Sequence, residues 1–326
     1  MRLSIGIGRY DRTQPLLDGR VAVEGVSAQF SSPPLEELFA RAFDTGEFDI
    51  AELSFSNFLY LTSLGKCPYI GLPVFPSRMF RHSAIFVRDD RGIVAPRDLA
   101  GKKVGVREYS MTAALAARGT LEDEYGVEAA SIRWRCGRAD AGDSAPIVRV
   151  RPRGIELESI PDGDNLSDLL RDGELDAVIA YTPPRCFVEG AAGVRRLFQD
   201  AAQAEQDYFT RTGIFPIMHL LGVRKDIAER HPDILVAVLD AFEAAKRIAI
   251  DAIAGYQALA VSLPWAPVEA ARLAASMGKD YWPYGVPRNR AAIAAIARWS
   301  HRQGLAAREL EMRELFAAAS LDWNGE

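Results

Sequence analysis

Short apolar runs that end in glycine or in polar turns alternate with segments of helical period, and this alternation occurs twice along the chain. Strands are predicted over residues 3–7 and 48–53, and the apolar residues within 35–42 follow the i, i+3, i+4, i+7 spacing of a helix that packs on a sheet. Such a βαβ unit places its strands in parallel, with a right-handed crossover. The N-terminal part therefore predicts an α/β fold.

The same pattern begins again near residue 85, and after Phe215 the chain becomes mainly helical. The predicted elements are a strand at 104–106, a helix at 110–125 ended by Gly126, a strand at 155–160, a helix at 166–171 capped by Asn165 and ended by Gly173, a strand at 176–181 and a long amphipathic helix that opens at His231. Residues 135–153 are the least patterned and predict an exposed insertion.

Two successive βα units, followed by helices that return to the first, predict a two-lobed α/β protein with a ligand cleft between the lobes. Lobe I is expected to comprise residues 1–84 plus 213–326, including the C-terminal helices, and lobe II residues 85–212. Ligands of such folds bind at the carboxyl ends of strands and in the crevice between lobes. Functional side chains are therefore expected at the carboxyl ends of the predicted strands.

Composition narrows the classes of partner. Among 326 residues, 39 Lys and Arg against 44 Asp and Glu give a net charge of −5, which disfavours a nucleic-acid groove. Three widely spaced cysteines predict a reducing compartment. The N-terminal apolar stretch is too short for a secretory signal, and no run reaches the ~18 apolar residues of a membrane span. We expect a cytoplasmic protein without membrane or nucleic-acid partners, and leave a homo-oligomer open.

The densest polar segment is residues 76–83. Its arginines, Arg78 and Arg81, have the planar fork that matches a carboxylate, and His82 titrates near neutral pH. If residues 80–87 form a strand, Arg81 and Ser83 share one face and His82 lies on the other. A purely structural histidine is the alternative interpretation of His82.

Residues 107–112 lie between a predicted strand and a helix start, where free backbone N–H groups favour an anion. Arg107, Ser110 and Thr112 could complete such a site, although Ser110 could also be a plain helix cap. Other candidate substrate contacts at strand ends are Arg9, Arg12, Ser54, Tyr109 and Tyr181.

His219 and Glu108 are further acid–base candidates, with core packing as the alternative for His219. The four histidines lack the spacing of a metal motif, so no metal site is predicted. Gly6-x-Gly8 lacks the third glycine of a dinucleotide fingerprint, because Asp11 stands there.

Several segments together resemble the 4,5-dihydroxyphthalate decarboxylase family. They are GRYDR at 8–12, LDGR at 17–20, PVFPSRMFRHS at 73–83, GVREYSMT at 105–112, FPIMH at 215–219 and YWPYG at 281–285. The resemblance covers nearly the whole chain and implies a type II periplasmic-binding-protein-like fold. It also implies a cytoplasmic enzyme that converts 4,5-dihydroxyphthalate to 3,4-dihydroxybenzoate and CO2.

This chemistry requires no redox or electron-sink cofactor, and none is predicted. The arginines Arg78, Arg81 and Arg107 are expected to hold the substrate carboxylates. We expect His82 to donate the proton, and His219 or Glu108 to act as the base at the hydroxyl.

Two other functions remain open at this point. A non-catalytic solute-binding protein for a small carboxylate would share the same fold. An enzyme similar to those of the menaquinone pathway would share the fold and use acid–base residues on another carboxylated ring. A ligand-sensing role is weaker, since no DNA-binding helix pair is evident.

Overall fold

The computed structural model describes residues 1–140, 142 and 150–325. The strands in this part of the chain are β1 (Arg2–Gly6), β2 (Ser27–Ser31), β3 (Ile50–Ser54), β4 (Tyr69–Arg78), β5 (Ile85–Arg88), β6 (Lys103–Val106), β7 (Arg133–Cys136), β8 (Leu157–Ser159), β9 (Ala177–Ile179), β10 (Val194–Arg196) and β11 (Ile217–Arg224). The helices are α1 (Gln14–Leu17), α2 (Leu35–Ala40), α3 (Phe55–Ser63), α4 (Thr112–Tyr125), α5 (Leu166–Asp172), α6 (Arg185–Val188), α7 (Ala201–Thr212), α8 (Lys225–Arg230), α9 (Asp233–Ala254), α10 (Ala266–Met277), α11 (Arg290–Arg302) and α12 (Met312–Leu315).

The first sheet has the strand order β2-β1-β3-β11-β4. Strand β1 is parallel to β2 and β3, whereas β11 runs antiparallel to both of its neighbours. Strand β3 is buried along its whole length, although its sequence IAELS includes the polar residues Glu52 and Ser54. Because β11 is antiparallel, its first residues lie beside the carboxyl end of β3, with His219 opposite Ser54.

The second sheet has the order β10-β5-β9-β6-β7-β8. Strands β9, β6, β7 and β8 are parallel, and β5 joins them antiparallel to β9. The first sheet consists of β1–β4 and β11, and the second consists of the strands between them in the chain, β5–β10. The two mixed sheets with flanking helices confirm the predicted two-lobed α/β class.

Several local predictions are confirmed. Helix α4 ends at Gly126, whose φ of 69° favours glycine, and Asn165 caps α5 by accepting a hydrogen bond from the Asp168 backbone N–H. Strand β2 was not predicted, because its half-exposed sequence SAQFS carries little apolar pattern.

Two other predictions are wrong. Residues 82–84 form a 3-10 turn and β5 begins only at Ile85, so Arg81 and Ser83 do not share a strand face. Arg135 and Cys136, assigned to an insertion, belong to β7. The remainder of that insertion includes residues 141 and 143–149, which lie outside the described residues.

No helix in the described ranges is both long enough and apolar enough to cross a membrane.

Candidate active site

A buried carboxylate lies at the centre of the first sheet. Glu52, in β3, is 0% exposed, and its oxygens accept hydrogen bonds from the backbone N–H of Gly8 (2.8 Å) and the hydroxyl of Tyr10 (2.7 Å). A Cβ atom at Gly8 would lie 2.9 Å from Glu52 Oε2, so this approach requires glycine. Burial opposes the charge, but hydrogen bonds from His219, Tyr10 and Gly8 outweigh it and hold the pKa of Glu52 below its usual range.

The third partner of Glu52 is His219. Its Nδ1 lies 2.6 Å from Glu52 Oε1, and the edge of Phe39 packs on the imidazole at 4.9 Å. An ionised carboxylate can only accept a hydrogen bond, so Nδ1 carries a proton. The other ring nitrogen, Nε2, is then the atom that can exchange a proton with a ligand. The His219 side chain is 15% exposed. Glu52 therefore orients the ring through Nδ1, while part of the ring stays accessible to solvent. This is the arrangement of an oriented acid–base histidine.

Tyr10 is itself held in place. Its ring packs against the guanidinium of Arg12, which lies 4.3 Å from that ring and 4.2 Å from the ring of Trp282. Arg12 Nε also donates to the Pro76 carbonyl at 2.6 Å. Burial and the neighbouring Glu52 charge raise the pKa of Tyr10, so its hydroxyl remains a donor. Arg12, predicted to contact substrate, thus orients the residue that holds Glu52.

Two helix starts meet beside this pair, one following β3 of the first sheet and one following β6 of the second. Ser54, at the start of α3, and Thr112, the first residue of α4, have their hydroxyl oxygens 3.0 Å apart. The backbone N–H of Ser56 donates to Thr112 Oγ1 at 3.1 Å. Both helix dipoles have their positive ends here, which favours an anion. The structure therefore brings together the predicted residues Ser54, Thr112 and His219.

Arg107 and Tyr181 also come together. Arg107 donates to the Tyr181 hydroxyl at 3.3 Å, and its guanidinium forms an ion pair with Glu36 of α2. Nearby, the Ser110 hydroxyl donates a hydrogen bond to Glu108 at 2.7 Å. The hydroxyl that was predicted to contact a substrate anion thus binds a carboxylate of the protein.

Arg81 is a buried cation that forms no ion pair with a carboxylate in the described part of the chain, although the charge of Glu205 acts on it. It is 8% exposed, and its Nε donates only to the sulfur of Met218 at 3.3 Å. Burial lowers the pKa of Arg81 to about 10, which leaves it charged at neutral pH. Met218 precedes His219 in β11, and successive side chains of a strand point to opposite faces, so the contact with Met218 does not by itself place the guanidinium beside the imidazole.

The other arginine of the motif, Arg78, is held by groups of the protein itself. Its guanidinium donates to the carbonyls of Phe215 (3.0 Å) and Pro283 (2.8 Å) and to the side chain of Asn289. Burial lowers the pKa of Arg78 to about 9. Arg78 lines a separate cavity of about 230 Å³ with Asp280 and Asn289, and holds the 280–289 loop on β4.

Tyr109 is also held by groups of the protein itself. It is 1% exposed, lies under the guanidinium of Arg118 at 3.7 Å, and donates to the Gln303 carbonyl at 3.2 Å. Tyr109 is therefore part of the core and cannot contact a ligand in the cleft. Arg9, by contrast, is exposed beside Gly8, with no hydrogen bond or ion pair to the described residues.

The structure does not favour His82 as the proton donor. His82 is 2% exposed, and its ring packs against Phe198 at 5.0 Å and Tyr208 at 5.4 Å. Neither ring nitrogen has a hydrogen-bond partner among the described residues. Burial lowers the pKa of His82 to about 4, so the ring carries no spare proton at neutral pH.

We expect His82 to weaken the fold in acid. Between pH 6.5 and about 4 the unfolded chain protonates His82 and the folded chain does not, so stability falls as the pH falls. This change amounts to at most about 3 kcal/mol. Substitution His82→Phe should remove it, which urea unfolding of both proteins at pH 7 and pH 4.5 will measure. Equal pH dependence of the two proteins would contradict the assignment of a neutral buried ring.

Sequence reasoning missed Glu52 and Tyr10. A signal for Glu52 was present, since it is the one charged residue of the buried strand IAELS. No three His, Cys, Asp or Glu side chains converge as a metal site within residues 1–140, 142 and 150–325.

Periplasmic binding proteins are among the structures with similar folds. The aliphatic sulphonate binding protein SsuA from Escherichia coli aligns with a TM-score of 0.52 at 14% identity, covering 97% of both chains. The periplasmic sulfonate-binding protein SsuA from Methylobacillus flagellatus aligns with a TM-score of 0.54 at 11% identity, covering 97% of this chain and 91% of that one. The chain thus has the periplasmic-binding-protein-like fold. No protein-family model matches it.

Two curated relatives share a name. The 4,5-dihydroxyphthalate decarboxylase of Comamonas testosteroni is 43% identical over 323 residues, which cover 99% of this chain and 98% of the relative. The 4,5-dihydroxyphthalate decarboxylase of Pseudomonas putida is 42% identical over 210 residues, or 64% of this chain and 81% of that one. The chain belongs to the 4,5-dihydroxyphthalate decarboxylase family. It is a carboxy-lyase, which confirms the predicted enzyme class over a non-catalytic solute-binding protein.

Proposed function

We propose that this enzyme converts 4,5-dihydroxyphthalate, or a closely related hydroxylated aromatic dicarboxylate, to 3,4-dihydroxybenzoate and CO2. The observation that carries the proposal is the Glu52–His219 pair, an oriented imidazole beside two helix starts that favour a carboxylate. The names of the curated relatives support the choice of substrate.

The substrate supplies much of the driving force. Each carboxylate of 4,5-dihydroxyphthalate is para to a hydroxyl, so loss of the hydroxyl proton pushes electron density onto the ring carbon that bears the carboxylate. Protonation of that carbon gives a dienone-like intermediate. The C–C bond to the carboxylate then breaks, CO2 leaves, and its electron pair restores the aromatic ring. One proton enters at carbon, and the proton lost from oxygen returns once the ring is aromatic again, so the reaction consumes one proton for each CO2 released.

The two substrate charges need two positive regions. The helix starts at Ser54 and Thr112 provide one, beside His219. Arg81 is our candidate for the other, because it is a buried cation that forms no ion pair with a carboxylate of the described residues. Arg9 and the pair of Arg107 with Tyr181 are further candidates at the edge of the cleft.

In this mechanism His219 donates the proton to the ring carbon from Nε2. Glu52 fixes the imidazole through Nδ1 and supplies the negative charge beside it when the ring is doubly protonated. Glu108 stays the candidate for the base at the hydroxyl. His219 thus replaces His82, our sequence-based choice, in the role of donor.

Turnover in heavy water tests the reaction. Purified protein is incubated in D2O with 4,5-dihydroxyphthalate, and we expect CO2 release and 3,4-dihydroxybenzoate with one deuterium on the ring carbon that lost the carboxylate. Phthalate, which lacks hydroxyls, should bind without reacting. We expect equal rates with and without a chelator, since the proposed chemistry uses no metal.

Tight binding of 4,5-dihydroxyphthalate without CO2 release would overturn the proposed substrate. A decarboxylated product that carries no ring deuterium would instead overturn protonation at carbon as the route.

We also propose the cytoplasm as the compartment. The support is chemical, because Cys67, Cys136 and Cys186 are all free thiols. The absence of a nucleic-acid partner stays a prediction from the net negative charge, and the homo-oligomer stays open.

A further inference from the structure

Helix α11 reaches across from lobe I to pack on α4 of lobe II. At the crossing, a Cβ atom built on Gly119 would lie 2.1 Å from Cδ2 of Trp299, so the indole lies directly on the backbone of α4. Trp299 is 1% exposed. Only glycine permits this close packing, and the indole prevents the two helices from approaching further.

Polar contacts fix the same pair of helices in the other directions. Trp299 Nε1 donates to Asp123 at 2.8 Å, and Arg298 forms an ion pair with the same carboxylate. One turn further on, Arg118 donates to the Gln303 side chain at 2.7 Å. These donors and acceptors are specific in direction, so they resist sliding and rotation of α4 against α11.

Helix α11 is equally anchored to lobe I. Arg78 of β4 donates to Asn289, immediately before α11, and the Ala307 backbone N–H, just after it, donates to Ser63 of α3 at 2.9 Å. The helix also contacts β11. A rigid element attached on both sides would have to break one set of contacts before the lobes could separate.

We propose that Trp299 is a positioning residue, which holds the lobes closed in the absence of ligand and so keeps Thr112 against Ser54. Gly119 is two turns along α4 from Thr112, and a helix transmits a fixed position over that length. The cleft is then preformed, and substrate does not bear the cost of closing it. This inference rests on the proposed function in one respect, namely that the cleft beside Thr112 and Ser54 is the site of the reaction.

Distances between the lobes test the proposal. Spin labels are placed on Glu24→Cys in lobe I and Glu189→Cys in lobe II, both exposed, in a Cys136→Ser background. Pulsed electron paramagnetic resonance then measures the distance without ligand and with phthalate. We expect one narrow distribution that phthalate does not shift, and a broad one for Trp299→Ala that phthalate narrows.

Asp123→Asn is the milder variant, with Asp251→Asn, exposed on α9, as its matched control. If Asp123→Asn leaves only about a tenth to a third of molecules closed, phthalate should bind about 3- to 10-fold more weakly while kcat at saturation is retained. A purely structural role would instead reduce the folded fraction without making the distance depend on ligand.

A distance in the parent protein that shifts with phthalate would overturn the proposal, as would distributions in both variants identical to the parent. If Trp299→Ala does not fold, Asp123→Asn decides. The ligand-free distances require neither binding nor turnover, so failure of the proposed reaction would be recognised separately.

Discussion

Substitution of His219 by Gln is expected to lower kcat for CO2 release from 4,5-dihydroxyphthalate by about 10²–10⁴-fold. Glutamine keeps a hydrogen-bonding group beside Glu52 but cannot transfer a proton, whereas the sheet position and the anion site at Ser54 are untouched. Binding of phthalate, measured by calorimetry, should remain within a few-fold of the parent. Steady-state kinetics and calorimetry on the same preparation separate the two effects.

The matched controls are other histidines. His231→Gln alters a ring at the end of α8, outside the proposed site, and should leave kcat unchanged. His82→Gln distinguishes the two hypotheses for the proton donor. If His82→Gln lost turnover while His219→Gln kept normal activity, the donor would be His82 and not His219.

Substitution of Arg81 by Met is expected to weaken phthalate binding by about 2–5 kcal/mol, or roughly 30- to 5,000-fold. Methionine has similar bulk and no charge, so the loss reports the missing guanidinium. The ligand-free protein should lose little stability, because the substitution removes a buried charge that forms no ion pair in the described residues and feels the charge of Glu205 only at longer range. Calorimetry with phthalate and urea unfolding measure the two quantities.

Arg313→Met is the control, since the Arg313 side chain is 76% exposed and pairs only with Glu311 in the described structure. Unchanged phthalate affinity in Arg81→Met would remove Arg81 from the site. Reduced stability together with unchanged affinity would assign it to the fold instead.

The local sequence pattern predicted those helices and strands whose limits are set by neighbouring residues. The period of apolar residues and the helix-ending glycine Gly126 placed α4 correctly, because both act within a few residues. The 3-10 turn His82–Ala84 was missed, since a short polar segment between two strands has no period of its own.

The site was predicted only in part for a different reason. Motif reasoning selected Arg78 and Arg81 equally, but the partners that distinguish them are 137 or more residues away along the chain. Glu52 was missed because its function depends on Gly8, Tyr10 and His219, which only the sheet brings together.

The insertion of β11 between β3 and β4 has a consequence for biosynthesis. The two members of the acid–base pair are 167 residues apart, so at roughly 5–20 residues per second a ribosome needs roughly 8–33 s to add His219 after Glu52. Until then the first sheet lacks an interior strand, and the carboxylate destined for its centre has no imidazole partner. Nascent chains of this enzyme must therefore wait, exposed to chaperones and proteases, for a late segment to complete their earliest strands.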